Sequence, residues 1–280
     1  MKPRAFEYIR PGSLEEAVKI IADGGGMAKL LAGGQTLLPM MNLRLAWAET
    51  LVDISRLPEL QGVEETANEV RIGAAVCHAA IEDGDVPDPS NGLMRQVASQ
   101  LAYRGVRNRG TIGGSLALSD PSAEWPTVLT ALDAVIELYG PTGVREVAIN
   151  DFVLGAYDTA FEEDEIIKSI TIPKHSTTTR WGYFKTCRKA GEYAASLALI
   201  VIDHERDVQR AVLGATNGRP WDLPKTAVAM VDAHEWLPQK EHEVKAMIAA
   251  DIEDNECKLN AFELRIHSTT ILRAARETLK

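Results

Sequence analysis

The residues best placed for chemistry in this chain are two short glycine-rich stretches. The first is Ala32-Gly33-Gly34-Gln35-Thr36, and the second, Thr111-Ile112-Gly113-Gly114-Ser115, follows about 80 residues later. Consecutive glycines accept positive φ and let a ligand approach the backbone closely. Where such a turn runs into a helix, its N–H groups converge on an anion and the helix dipole favours negative charge there. Thr36, Thr111 and Ser115 add hydroxyl groups. One diglycine reads equally well as a tight strand-to-helix turn with no ligand. Two of them, facing each other, wrap a pyrophosphate from two sides. Neither is followed by the Gly-Lys-Ser/Thr of a P-loop, and no GxGxxG opens the first strand-to-helix turn, so a nucleotide triphosphatase and a Rossmann dehydrogenase are both disfavoured.

Periodic segments flank these motifs. Phe6, Tyr8 and Ile9 predict a short strand ended by Pro11-Gly12. Ser13, with Glu16 three residues on, starts a helix whose Leu14, Ala17, Val18 and Ile21 recur at helical spacing. Strands are expected at 29–31 and 51–54, with a helix through Leu37 to Met41 between them. A second unit holds strands at 70–73, 134–139, 144–148 and 166–172 and helical stretches at 77–83 and 91–101. Asp120-Pro121 reads as the N-cap and first position of a further helix. The threonine-rich run 174–179 looks like a linker. Beyond it, apolar or alternating runs at 180–188, 194–203 and 208–215 predict a three-stranded antiparallel sheet, followed by helices at 225–233, 241–252 and 259–280. Strands followed by helices mark an α+β arrangement. The expected division is 1–57, 58–176 and 177–280.

Composition narrows the function. The chain has 280 residues, 45% hydrophobic and 25% charged, which suffices for a sizeable core. Its net charge of −10 argues against a nucleic-acid surface, but backbone N–H groups can hold phosphate without cations. Cys77, Cys187 and Cys257 are far apart and form no iron–sulfur or zinc pattern. With no apolar leader at the N-terminus and no membrane-length apolar stretch, they read as reduced thiols of a cytoplasmic protein. The six histidines show no metal-ligand spacing and read as structural or surface residues. Arg104, Arg107 and Arg109 crowd ahead of the second diglycine, where phosphate pairing, a solvated face and a subunit contact are all open readings.

The extended contexts of the two motifs carry a family resemblance. LAGGQTLLPMMNLR (31–44) and RNRGTIGGSLALSDPSAEWP (107–126) resemble the two FAD-binding segments in the medium subunit of molybdenum hydroxylases, the xanthine dehydrogenase family. The likeness is greatest to the flavoprotein subunits of aerobic carbon monoxide dehydrogenase and of N-heterocycle hydroxylases, and it covers nearly the whole chain. It implies an α+β protein with the two-subdomain FAD-binding fold of vanillyl-alcohol oxidase and MurB-like enzymes (PCMH-type). To this is added a C-terminal α+β domain of the carbon monoxide dehydrogenase flavoprotein kind. It places Ala32, Gly33, Gly34, Gln35, Thr36, Thr111, Gly113, Gly114 and Ser115 on the FAD pyrophosphate and ribityl, mostly through backbone N–H groups. Asp120 matches an aspartate that hydrogen-bonds the cofactor, a role compatible with an N-cap. Lys185 matches a lysine that reaches the FAD from the third domain; by itself it reads as a solvated strand lysine. Tyr193 stands where relatives set an aromatic ring against the isoalloxazine, and reads equally as a packed tyrosine. Ile167 lies near a position whose backbone meets the adenine side, although a buried strand residue is the simpler reading.

Gln35, Thr36 and Ser119 depart from the commoner family residues. The first two changes retain hydrogen-bonding capacity. The lack of clustered cysteines excludes the reductase branch that inserts an extra iron–sulfur loop in this subunit. The resemblance implies an electron-transfer subunit with no catalytic base of its own. A large molybdopterin-binding subunit and a small subunit with two [2Fe–2S] clusters would be its partners, as a dimer of heterotrimers. Electrons would leave FAD for an external quinone, NAD or oxygen. Two other readings are a self-contained flavin oxidoreductase whose substrate meets FAD directly, and a binding module for another anionic nucleotide.

Overall fold

The computed structural model describes residues 2–216, 218–255 and 259–279. Cys257, and Lys280 at the end of the last predicted helix, 259–280, therefore lie outside the described residues. The first strands form a parallel sheet in the order Glu7–Ile9, Thr50–Asp53, Ala28–Leu31. Parallel neighbours require crossovers, supplied by the helices Leu14–Asp23 and Leu37–Asn42. Ser13 Oγ accepts from Glu16 N–H as predicted. The Glu16 carboxylate reaches back one residue further than in a standard capping box and accepts from Gly12 N–H at 2.6 Å. Leu14, Ala17, Val18 and Ile21 are the buried face.

The second sheet is antiparallel, in the order Val63–Glu65, Glu69–Gly73, Ile166–Pro173, Val135–Gly140, Gly143–Ala148. Its central strand arrives last in sequence and pairs on both sides, with an irregularity between Ile167 and Ser169. Helices Leu93–Gln100, Ile112–Leu118 and Glu124–Ala131 share its apolar core, which contains the fully buried Trp125 and Phe152. The second diglycine is not a turn. Gly113 and Gly114 lie in the first turn of helix Ile112–Leu118, because Thr111 Oγ1 caps it by accepting from Gly114 N–H. Asp120 does not cap a helix either. The next helix begins at Glu124, and Asp120 Oδ1 instead accepts from Ser122 N–H in a local Asx turn.

The C-terminal sheet contains the three predicted strands, Arg180–Thr186, Ser196–Asp203 and Val208–Gly214, and gains a short fourth, Trp221–Asp222. Every residue of Ser196–Asp203 is buried. Successive side chains of a strand point to opposite faces. Leu197, Leu199 and Val201 thus join the core of the second sheet, while Ala198, Ile200 and Ile202 join a separate core under the helices Pro224–Met230, Pro238–Asp254 and Ala261–Glu277.

The expected linker 174–179 is a fixed junction. Buried Asp203 accepts from Ser176 N–H at 2.7 Å, Ser176 Oγ at 2.8 Å and Thr179 Oγ1 at 2.7 Å. Burial acts to raise its pKa, but these hydrogen bonds outweigh burial and hold it at about 2. The stability this supplies is complete above the ordinary carboxylate range and is lost as pH falls through about 2. Asp203→Asn is expected to lower unfolding free energy by about 2 kcal/mol at pH 7, with the difference shrinking toward pH 2; chemical denaturation at both pH values checks this.

Candidate functional site: a cleft between two glycine motifs

A cleft of about 780 Å3 runs between the first and second sheets. That size is typical of a cofactor pocket. Its wall includes Ala32, Gly33, Gly34, Gln35 and Thr36 from the first motif and Thr111, Gly113, Gly114 and Ser115 from the second. Asp120, Ile167 and Tyr193 line it as well. Thus all but one of the residues singled out from the sequence converge on one cleft.

The two motifs meet through glycine. A Cβ on Gly33 would stand 2.1 Å from the Arg109 carbonyl oxygen and 2.9 Å from Gly110 Cα, so the first motif packs backbone to backbone on the approach to the second. A Cβ on Gly113 would stand 2.4 Å from Ala74 Cβ, and Gly113 N–H donates to the Ala74 carbonyl at 3.0 Å. Gly34 takes φ +71°, the left-handed region that favours glycine.

The N–H groups of the motifs divide the work. In the second, Ile112 N–H is used by the Val76 carbonyl, Gly113 N–H by Ala74, Gly114 N–H by Thr111 Oγ1 and Ser115 N–H by the Thr111 carbonyl. What this motif offers the cleft is hydroxyls: Thr111 Oγ1, already an acceptor, keeps its hydrogen to donate. In the first motif, the N–H groups of Gly33, Gly34, Gln35 and Thr36 find no acceptor among the described residues. Gly33 is buried and Gly34 and Thr36 are half-buried, while Gln35 is exposed. Buried backbone donors are almost always satisfied, so these free donors fit an anionic oxygen ligand such as a diphosphate.

Asp120 presents its carboxylate at the cleft, and Tyr157 OH donates to its Oδ2 at 3.3 Å. Tyr157 is held there by backbone: its N–H donates to the Ser119 carbonyl, and both residues have positive φ. Tyr193 is 61% exposed at the cleft, an aromatic ring free to cover a ligand. Ile167 is a buried strand residue that also lines the cleft, beside the irregularity in the central strand.

Lys185 is the exception. It is not a solvated lysine: its Nζ lies 2.6 Å from Glu124 Oε1, with side-chain exposures of 4% and 6%. Glu124, which sequence reasoning did not single out although it lies in the second motif's context, is the residue of the pair that lines the cleft. Burial raises the Glu124 carboxyl pKa, and the Lys185 ammonium pulls it back.

His78 was also missed as a cleft residue. Its Nδ1 accepts from the buried Trp125 Nε1 at 3.1 Å, which assigns the proton to Nε2. A Cβ on Gly110 would come within 2.9 Å of His78 Nε2, so Gly110 makes room for the ring. Burial, with Arg107 nearby, lowers the His78 pKa to about 4. Arg107 and Arg104 both pair with Glu82, at 2.7 and 2.8 Å, and Arg104 pairs also with Asp83. These two arginines tie the helix Arg104–Arg107 to His78–Asp83 and do not line the cleft. His175 and His267 lie beside Asp203 and Ser196 Oγ respectively. No group of three or more His, Cys, Asp or Glu side chains among the described residues is placed to hold a metal ion, and no described helix is long and apolar enough to cross a membrane.

Comparison with known proteins gives the family and the fold. Residues 4–175 match the family model described as "FAD binding domain in molybdopterin dehydrogenase". The carbon monoxide dehydrogenase medium chain of Hydrogenophaga pseudoflava is 39% identical over 80% of this chain and 78% of its own length. The nicotine 6-hydroxylase medium subunit of Paenarthrobacter nicotinovorans is 36% identical over 77% and 76%. A solved structure of carbon monoxide dehydrogenase from Hydrogenophaga pseudoflava superposes with a TM-score of 0.89 at 32% identity, covering 99% of this chain and 98% of that one. The chain belongs to the family of FAD-binding domains of molybdopterin dehydrogenases; it is an FAD-binding medium subunit of the molybdenum hydroxylase type.

Two outcomes follow. Gly33→Ala is expected to lose ~1–3 kcal/mol, because the opposing atoms are backbone, whereas Gly114→Ala meets chiefly the Thr111 hydroxyl and loses less; thermal unfolding compares them. His78 is expected to stay neutral until pH approaches 4, followed by NMR of its ring nitrogens. Because the unfolded imidazole protonates first, near 6.5, this residue costs stability as pH falls from 6.5 to about 4 and adds no further loss below.

Proposed function

We propose that this chain holds FAD across the cleft and passes electrons from iron–sulfur clusters of a partner subunit to an external acceptor. The observation that carries the reading is the run of unpartnered N–H groups at residues 33–36, opposite the Thr111 and Ser115 hydroxyls in one 780 Å3 cleft. Bound FAD supplies the conversion between one-electron and two-electron transfer. The chain's own residues do the holding. Gly33, Gly34, Gln35 and Thr36 donate N–H groups to the diphosphate, Ala32 shapes the turn, and Gly113 and Gly114 bring Thr111 and Ser115 within reach. Asp120, oriented by Tyr157 and Ser122, accepts from the cofactor. Tyr193 covers the ring system, and Ile167 meets the adenine side with its backbone. Lys185 acts on the cofactor through Glu124.

This reading assigns 1–57 and 58–176 to the two FAD-binding subdomains and 177–280 to the C-terminal domain. It needs a large molybdopterin-binding subunit and a small subunit with two [2Fe–2S] clusters, paired as a dimer of heterotrimers. The names "medium chain" and "medium subunit" of its relatives support partners of this kind. The acceptor is a quinone, NAD or oxygen. The free thiols Cys77 and Cys187 fit a cytoplasmic setting. The purified full chain is expected to be yellow and to release one FAD per chain on acid denaturation, measured by absorbance and chromatography of the supernatant. Bleaching of that flavin by an organic substrate added to the chain alone would overturn the subunit reading in favour of a self-contained flavin oxidoreductase.

A further inference from the structure

The pair of Glu124 and Lys185 joins two parts of the molecule at the cleft wall. Glu124 is the first residue of helix Glu124–Ala131, where a carboxylate is favoured by the helix dipole. Lys185 comes from strand Arg180–Thr186 of the C-terminal sheet. The strands Ser196–Asp203 and Val208–Gly214 pack on that helix and bring Leu197, Leu199 and Val212 to the shared apolar core. An ion pair in such surroundings costs several kcal/mol of desolvation per ion, and an apolar pair of similar volume is often as stable or more so. Stability alone therefore does not account for it.

Charge placement does. Glu124 feels Lys185 behind it and Asp120 along the cleft wall, and its own charge is felt by Tyr183 and Tyr193. A cofactor in the cleft gains negative charge when electrons arrive. A lone ammonium at this place would stabilise the reduced form, and the adjacent carboxylate cancels that pull. We propose that Glu124 is a positioning residue which holds Lys185 in a neutral pair and thereby keeps the reduction potential of the bound flavin low. This inference rests on the FAD reading above.

The test is the flavin midpoint potential of the full-length chain, measured by dye-equilibrated reductive titration. The E124Q/K185R variant keeps a fixed positive charge, because guanidinium does not lose its proton in proteins. It is expected to favour reduced flavin over oxidised by at least about tenfold relative to the wild type, ~30 mV more positive for a two-electron couple. The E124Q/K185M variant, neutral like the native pair, is expected to shift by less than this. Glu124→Gln alone, read the same way, serves where the first double variant does not fold. A purely structural pair would alter stability in both double variants and leave the potentials together. Flavin-loaded E124Q/K185R at the wild-type potential, or E124Q/K185M shifted equally far, overturns the role of Glu124 alone. Wild-type protein without flavin overturns the FAD reading and this inference with it.

Discussion

The close backbone approach at Gly33 is the constraint on which the cleft depends. No side chain fits between Gly33 and the Arg109–Gly110 backbone, so the loop that follows strand Ala28–Leu31 and the loop that precedes helix Ile112–Leu118 meet there backbone to backbone. That contact sets the first motif's free N–H groups beside the Thr111 cap of the second. Gly113 makes a second such contact with Ala74, and Gly110 makes room for the His78 ring. Close packing of this kind leaves little freedom for adjustment, which keeps the donors aligned.

An acidic protein can hold a diphosphate in this way because the donors are neutral. The nearby arginines that invite a phosphate role, Arg104 and Arg107, are taken by Glu82 and Asp83. His78 is kept neutral by burial. Lys185, buried behind Glu124, is matched by that carboxylate. What the cleft offers an anion is oriented backbone dipoles and hydroxyls. Preorganised dipoles of this sort need no rearrangement when a charged ligand arrives.

The C-terminal part is built into the site as well. Its strand Ser196–Asp203 serves two cores at once, one under its own helices and one shared with the second sheet. Lys185, on the neighbouring strand, is buried against Glu124, which lines the cleft. The junction at Asp203 fixes where this sheet begins. Burial on both faces of strand Ser196–Asp203 ties the C-terminal helices to the second sheet, and Gly191, Glu192 and Tyr193, just before it, line the cleft.

Local chemistry was legible in the sequence. The capped first helix, most of the strands, the apolar run at 194–203 and the two diglycines follow from periodicity, caps and turn residues, which act within a few positions. The motif contexts also carried the family, and with it a cleft that contains twelve of the thirteen residues named. Hidden from the sequence were the pairings that decide which donors and charges in that cleft remain free. The second diglycine's N–H groups are spent on Val76 and Ala74, and Lys185 is buried on Glu124. Asp120 is oriented by Tyr157, and the apparent linker 174–179 is pinned to Asp203. A donor's availability or a charge's burial is decided by what packs against it, and tertiary structure alone brings those groups together.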